Sequence, residues 1–200
     1  VMLSLCMEVY FEMVHADKDF VLEIQDRYTQ WLSKSMEIVS NIGFDCVCAA
    51  DDLAFKTGPM FSPKMFEEYF LPGMRKVADS ISLPWFTHSD GDMSLLMDAW
   101  LTLGQNGINP IEPLAMNINQ VKKEYGMRIC LIGNVDVDLL ATGTPAEVDE
   151  VVRMLIRDIA PKGGYILSSG NSIPSFSKVE NVMAMSEALK KYGRYPISLE

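Results

Sequence analysis

The sequence predicts an α/β fold built on a parallel sheet, and three observations carry that prediction. Five apolar runs end in polar residues and are each followed by helical spacing: Phe44–Ala50, Pro84–His88, Ile108–Ile111, Arg128–Gly133 and Tyr165–Leu167. They recur every 25–40 residues or so, roughly the spacing of βα units. No Gly-x-Gly-x-x-Gly follows any of them, which weighs against a dinucleotide-binding sheet. A doubly wound sheet and a (β/α)₈ barrel are the two possible closures. A full barrel needs eight strands and about 250 residues. Five units therefore read as the C-terminal five βα units of a barrel, one domain over residues 1–200 without its N-terminal strands.

Taken in order, residues 1–15 have helical spacing, with Leu3, Met7, Tyr10, Phe11 and Val14 on one face. Asp17 or Asp19 can cap a second helix over residues 20–41, which Gly43 ends. The first strand runs to Asp51-Asp52, and a loop through Gly58-Pro59 follows. Ser62-Pro63 starts a helix to about Ser80, with a kink expected at Pro72-Gly73. The second strand ends at His88, and a helix is expected over residues 93–103. The third strand ends at Glu112-Pro113, and Asn117 can cap a helix over residues 118–125. The fourth ends at Asn134 and Asp136. Thr144-Pro145-Ala146-Glu147 is a capping box with proline at the first helical position. The fifth strand ends at Ser168-Ser169-Gly170-Asn171, and residues 178–191 form the last helix.

A net charge of -10 argues against binding to nucleic acid or an anionic membrane. No apolar run reaches the roughly 18–20 residues of a membrane span, and the N-terminus lacks the basic region of a signal peptide. These features point to the cytoplasm. Cys46, Cys48 and Cys130 lie in apolar runs and read as buried reduced thiols. Cys46-x-Cys48 could supply two metal ligands, but no further cysteine stands at zinc-site spacing.

Chemistry in α/β folds gathers at the carboxyl ends of the strands. His88 and Asp90 stand there and can share a face, because strand side chains alternate. Asp90 can orient the imidazole, share a metal with it, or simply stabilise the turn. Glu112 lies between Pro110 and Pro113, which fix its direction toward the same mouth. His88, Asp90 and Glu112 are the catalytic candidates and, if an ion binds, its ligands. Without thiolates they suit zinc or a harder divalent ion. Asp51, Asp52, Asn134, Asp136, Ser168 and Asn171 are candidate substrate contacts. Only one of Asp51 and Asp52 can face the mouth, and Asp136 could equally cap the following helix. His15, at a helix end, reads as solvated or capping. Met93, Met97, Met183 and Met185 read as core.

Several segments together resemble the uroporphyrinogen decarboxylase superfamily. Asp51-Asp52-Leu53-Ala54 with Thr57-Gly58 and Ser62-Pro63 resembles its DDLG…TG…SP segment. His88-Ser89-Asp90-Gly91-Asp92 resembles its HSCGN or HSDGN turn. Gly133-Asn134-Val135-Asp136 with Leu140, Gly143-Thr144-Pro145 and Val148 resembles GgiD…L..GTPeeV. Gly163-Gly164-Tyr165-Ile166-Leu167 resembles GGyil, and Glu180-Asn181 with Ala184-Met185 resembles EN..AM.

The resemblance implies a (β/α)₈ barrel and one of two chemistries. Decarboxylases of the family remove acetate carboxylates from a tetrapyrrole with no cofactor. Its corrinoid-linked methyltransferases pass a methyl group between a cobamide and a thiol or other acceptor, using zinc held by a His-x-Cys turn and a later Cys. Here His88 matches the histidine, Asp90 stands at the first cysteine, and Ser168 and Ser169 stand near the second. The Gly-His-Gly of the decarboxylases is Gly170-Asn171-Ser172. A mouth with one imidazole and several acids suits a substrate of many carboxylates poorly, since such a substrate wants Arg and Lys. Lys56 and Arg75 are the basic residues near the turns. The reading is a corrinoid-linked methyltransferase acting on a small molecule, with a corrinoid protein as a possible partner and a homo-oligomer possible. The alternatives are uroporphyrinogen decarboxylation and a non-catalytic barrel that serves as a binding module.

Overall fold

The computed structural model describes residues 5–198, so Leu3 lies outside the described residues. The chain forms two compact units. Of the described residues, one comprises 5–47, 61–85 and 96–104, and the other 48–60, 86–95 and 105–198.

The first unit is helical. Helices α1 (Met7–Ala16) and α2 (Lys18–Val39) meet at Asp17, whose carboxylate accepts the Phe20 N–H and caps α2. Buried Tyr10, Val21, Phe66 and Phe70 form its core, with the Phe61 and Phe70 rings stacked at 4.2 Å. The helix expected from Ser62 to Ser80 breaks earlier than the predicted kink. It runs as α3 (Pro63–Met65), a π-helical turn (Phe66–Phe70) and α4 (Leu71–Ala78). Pro72 has no N–H for the preceding turn and its ring crowds it, so the chain widens before the proline and restarts with Pro72 in a first turn.

The second unit carries the sheet. Strands β1 (Val47–Ala50), β4 (Trp85–His88), β5 (Gly107–Asn109), β6 (Cys130–Val135) and β7 (Tyr165–Ser169) lie in the order β1-β4-β5-β6-β7. All are parallel. The β4–β5, β5–β6 and β6–β7 registers run the same way, and the Val47 and Asp51 N–H groups donate to Pro84 and His88 carbonyls, advancing together. Sequential strands are spatial neighbours throughout, as in part of a (β/α) barrel. A short antiparallel pair, β2 (Ala54–Phe55) and β3 (Gly58–Pro59), stands where the sequence suggested a plain loop.

The helix expected over residues 93–103 is shorter. It is α5 (Met97–Trp100) followed by a 3₁₀ turn (Leu101–Leu103). The Asp92 carboxylate accepts the Ser94 N–H, an Asx turn that competes with helix over the first residues. Helices α6 (Ile118–Tyr125), α7 (Val137–Thr142), α8 (Pro145–Ile159) and α9 (Val179–Tyr192) complete the chain. Asn117 caps α6 through the Gln120 N–H, and Thr144 and Glu147 form the expected capping box on α8. Val148, Val152, Ile156 and Ala160 repeat every fourth residue, so α8 lays one apolar stripe against Val135, Leu140 and Ala188.

Met93 and Met97 are core, as expected, whereas Met183 is 54% exposed. The cysteines differ from expectation. Cys46 and Cys48 are exposed and Cys130 is half-buried. Strand β1 is the edge of the sheet among the described residues, so its apolar sequence does not bury Cys48.

Candidate active site

The site is built at the carboxyl ends of β1, β4 and β5, within the second unit. His88 is the last residue of β4 and pairs in register with Asn109, the last residue of β5. In parallel strands such partners project side by side, and His88 Nδ1 lies 2.7 Å from Asn109 Oδ1. The Ser89 N–H donates to the Asn109 carbonyl at 2.9 Å, tying the ends of the two strands together.

The chain then turns through Ser89-Asp90-Gly91. Buried Ser89 accepts the Leu53 N–H on its hydroxyl at 3.0 Å and so fastens the segment after β1 to this turn. Gly91 has φ +86°, and a Cβ there would stand 2.6 Å from Ala54 and Phe55 backbone atoms. Only glycine fits this close approach. Its N–H donates to Glu112 Oε2 at 2.7 Å, and Glu112 Oε1 lies 3.5 Å from Lys56 Nζ.

Asp90 is held from two sides. Its N–H donates to Asp52 Oδ1 at 3.2 Å, and its Oδ2 accepts from Asn171 Nδ2 at 2.7 Å. Among the described residues its Oδ1 is buried without a hydrogen-bond partner, and it lies 3.7 Å from His88 Nε2. Burial pushes the Asp90 carboxyl above its ordinary value. The Asn171 hydrogen bond and His88 pull it back, while the like charges of Asp52 and Glu112 add to the rise.

One ligand atom each from Asp52, His88 and Asp90 lies within 4.8 Å of the others. An imidazole nitrogen and two carboxylates, one of them with a buried oxygen unpartnered among the described residues, fit a divalent cation. The expected third ligand, Glu112, is instead bound to the Gly91 N–H and paired with Lys56. Of the adjacent acids Asp51 and Asp52, it is Asp52 that joins His88 and Asp90. Asp51 is exposed, and its N–H extends the β1–β4 ladder to the His88 carbonyl.

The other predicted residues have different tasks. Asn171 holds Asp90. Asp136 accepts the Asp138 N–H and is the N-cap of α7. Ser168 donates to the Ser169 carbonyl, and Asn134 is buried in β6 at 9% exposure. Arg75 bonds Thr102 in the helical unit. Asn109 went unrecognised in the sequence. Its only signal was its place at a strand end before Pro110, one strand after His88.

Comparison with known proteins bears on the family and the fold. Over 133 residues the chain is 27% identical to a methylated-thiol–coenzyme M methyltransferase of Methanosarcina mazei, covering 66% of this chain and 34% of that protein. It is 24% identical over 145 residues to a uroporphyrinogen decarboxylase of Pseudoalteromonas translucida, covering 68% and 39%. A uroporphyrinogen decarboxylase of Cupriavidus pinatubonensis is 23% identical over 192 residues, covering 91% and 51%. The chain thus spans between about a third and a half of these relatives. The solved structure of a methyltransferase from Methanosarcina mazei has the same fold, with a TM-score of 0.80 at 18% identity over 94% of this chain and 54% of that one. A family model for uroporphyrinogen decarboxylase (URO-D) matches residues 2–192, and the chain belongs to that family.

Proposed function

We propose that the protein carrying this chain is a corrinoid-linked methyltransferase, and that Asp52, His88 and Asp90 hold the divalent ion it uses. The observation that carries this reading is the buried Asp90 Oδ1, unpartnered among the described residues and set beside the His88 imidazole and the Asp52 carboxylate. A bound zinc or harder ion would supply Lewis acidity to a thiol or other methyl acceptor. The chain's own residues do the positioning. Asn171 fixes one oxygen of Asp90, and Glu112 fixes the Gly91 turn that carries it. The methyl donor or acceptor is a corrinoid, delivered by a corrinoid protein, and the other substrate is a small molecule. A tetrapyrrole with many carboxylates would meet Asp52, Asp90 and Glu112, with Lys56 the cation paired to this group.

Decarboxylation of a porphyrinogen is the second reading. Its support is the raised Asp90 carboxyl, which can retain a proton beside a substrate, and the relatives named as uroporphyrinogen decarboxylases. Incubating the full-length protein first with methylcobalamin and a thiol, then with uroporphyrinogen, separates the two. Loss of methyl from cobalt supports methyl transfer, and coproporphyrinogen supports decarboxylation. Neither product would leave a binding module.

A further inference from the structure

We infer that Asn109 is a positioning residue that fixes which nitrogen of His88 acts. The geometry assigns the acceptor Asn109 Oδ1 to His88 Nδ1 at 2.7 Å. An oxygen lone pair facing a bare ring nitrogen would repel it, so Nδ1 carries the proton and donates. In the neutral ring the proton-free atom is then Nε2, which is turned toward the two carboxylates, 3.7 Å from Asp90 Oδ1.

That arrangement has a chemical consequence. With Nδ1 occupied, Nε2 offers its lone pair into a group that already holds two acids, which is unfavourable unless a cation sits among them. Asn109 therefore sets the ring up as a ligand through Nε2, the role an outer hydrogen bond plays for metal-bound histidines. Asn109 itself is held in place. It is in register with His88 across the β4–β5 ladder, and its carbonyl accepts the Ser89 N–H. These contacts fix the Asn109 backbone beside His88, and the 2.7 Å contact is what orients its side chain.

The inference rests on reading this cluster as the reactive site, but its test reads the ring directly and needs no activity. Long-range proton–nitrogen correlation spectra of the ¹⁵N-labelled full-length protein, freed of metal with a chelator at about pH 9, report the tautomer of each neutral imidazole. His88 is identified by the signals lost in His88→Gln, and exposed His15 serves as the reference for a ring in water, which favours the Nε2–H form. Wild-type His88 is expected in the Nδ1–H form, with an Nδ1 proton protected from solvent exchange. Asn109→Leu is expected to shift it to the Nε2–H form, and Asn109→Asp, which restores an acceptor, to retain Nδ1–H. A wild-type His88 in the Nε2–H form overturns the inference, and so does a tautomer unchanged in Asn109→Leu. If Asn109→Leu does not fold, the wild-type spectrum decides alone. A protected Nδ1–H supports the assignment and its absence overturns it. Failure of methyl transfer with this tautomer intact would count against the proposed function and leave the role of Asn109 standing.

Discussion

Asn171 Nδ2 donates to Asp90 Oδ2 at 2.7 Å across 81 residues of sequence. This bond ties the loop after β7 to the turn after β4 and fixes which oxygen of Asp90 faces His88. Removing it in Asn171→Ala leaves a half-buried carboxylate with both oxygens short of partners. The expected cost is about 1–3 kcal/mol, as for other lost hydrogen bonds to charge. Divalent-metal affinity should fall roughly 10–100-fold, because the carboxylate loses its outer partner. Urea unfolding and metal titration of the variant check both numbers.

Asp90 also carries a pH signature. Its folded carboxyl is raised, chiefly by burial. A raised carboxyl contributes stability below the ordinary carboxylate range, and that contribution is lost as pH rises through the raised value. Ionised Asp90 therefore destabilises the fold at neutral pH. Asp90→Asn keeps a carbonyl for Asn171 and removes the charge, so its Tm should exceed wild type near neutrality. The gap should close as pH falls below the ordinary carboxylate range. Calorimetric Tm measured against pH tests this, and a gap that widens on acidification would contradict it.

Gly91→Ala should be severe. The new Cβ meets Ala54 and Phe55 backbone atoms at 2.6 Å, in a conformation that disfavours side chains. A cost of about 2–4 kcal/mol is expected, because backbone on both sides must move. The Gly91–Glu112 bond should be lost with it. Equilibrium unfolding gives the cost directly.

Asn181 offers a structural control away from the site. It is fully buried and donates to the carbonyls of Leu139, Leu140 and Gly143, closing the end of α7. Asn181→Leu should cost about 2–3 kcal/mol, since three carbonyls lose a donor. Metal affinity should stay within about twofold of wild type, because an independent, distant site adds without coupling. Parallel unfolding and titration measurements on this variant separate loss of fold from loss of site.

Much of the fold was legible because its signals are local. The five strands show as apolar runs, and the caps Asp17, Asn117 and Thr144 use side-chain chemistry within three residues of their targets. His88 ends β4 and Asp90 follows it by two residues in the turn, so their closeness is local and legible in the sequence. The remainder depends on partners far apart in sequence. Asn109 is 21 residues from His88, and Asp52 is 38 from Asp90. Strand order must be known before such partners can be chosen, so the sequence does not reveal that Asp52, not Asp51, lies beside His88, or that Glu112 bonds the Gly91 N–H. The exposed Cys48 was misread for the same reason, because apolar neighbours do not reveal that β1 is an edge.

The central claim is that Asp52, His88 and Asp90 together bind a divalent ion. Calorimetric titration of the chelator-treated full-length protein with manganese(II) and with zinc(II), run on wild type, Asp52→Asn, His88→Gln and Glu112→Gln, tests it most directly. Wild type should bind one ion per chain at this site. Asp52→Asn and His88→Gln should each weaken it by at least about tenfold, as loss of a ligand requires, while Glu112→Gln, which keeps an acceptor for the Gly91 N–H, should bind within a few-fold of wild type. Absence of binding in wild type, or equal affinity in wild type and His88→Gln, would contradict the account.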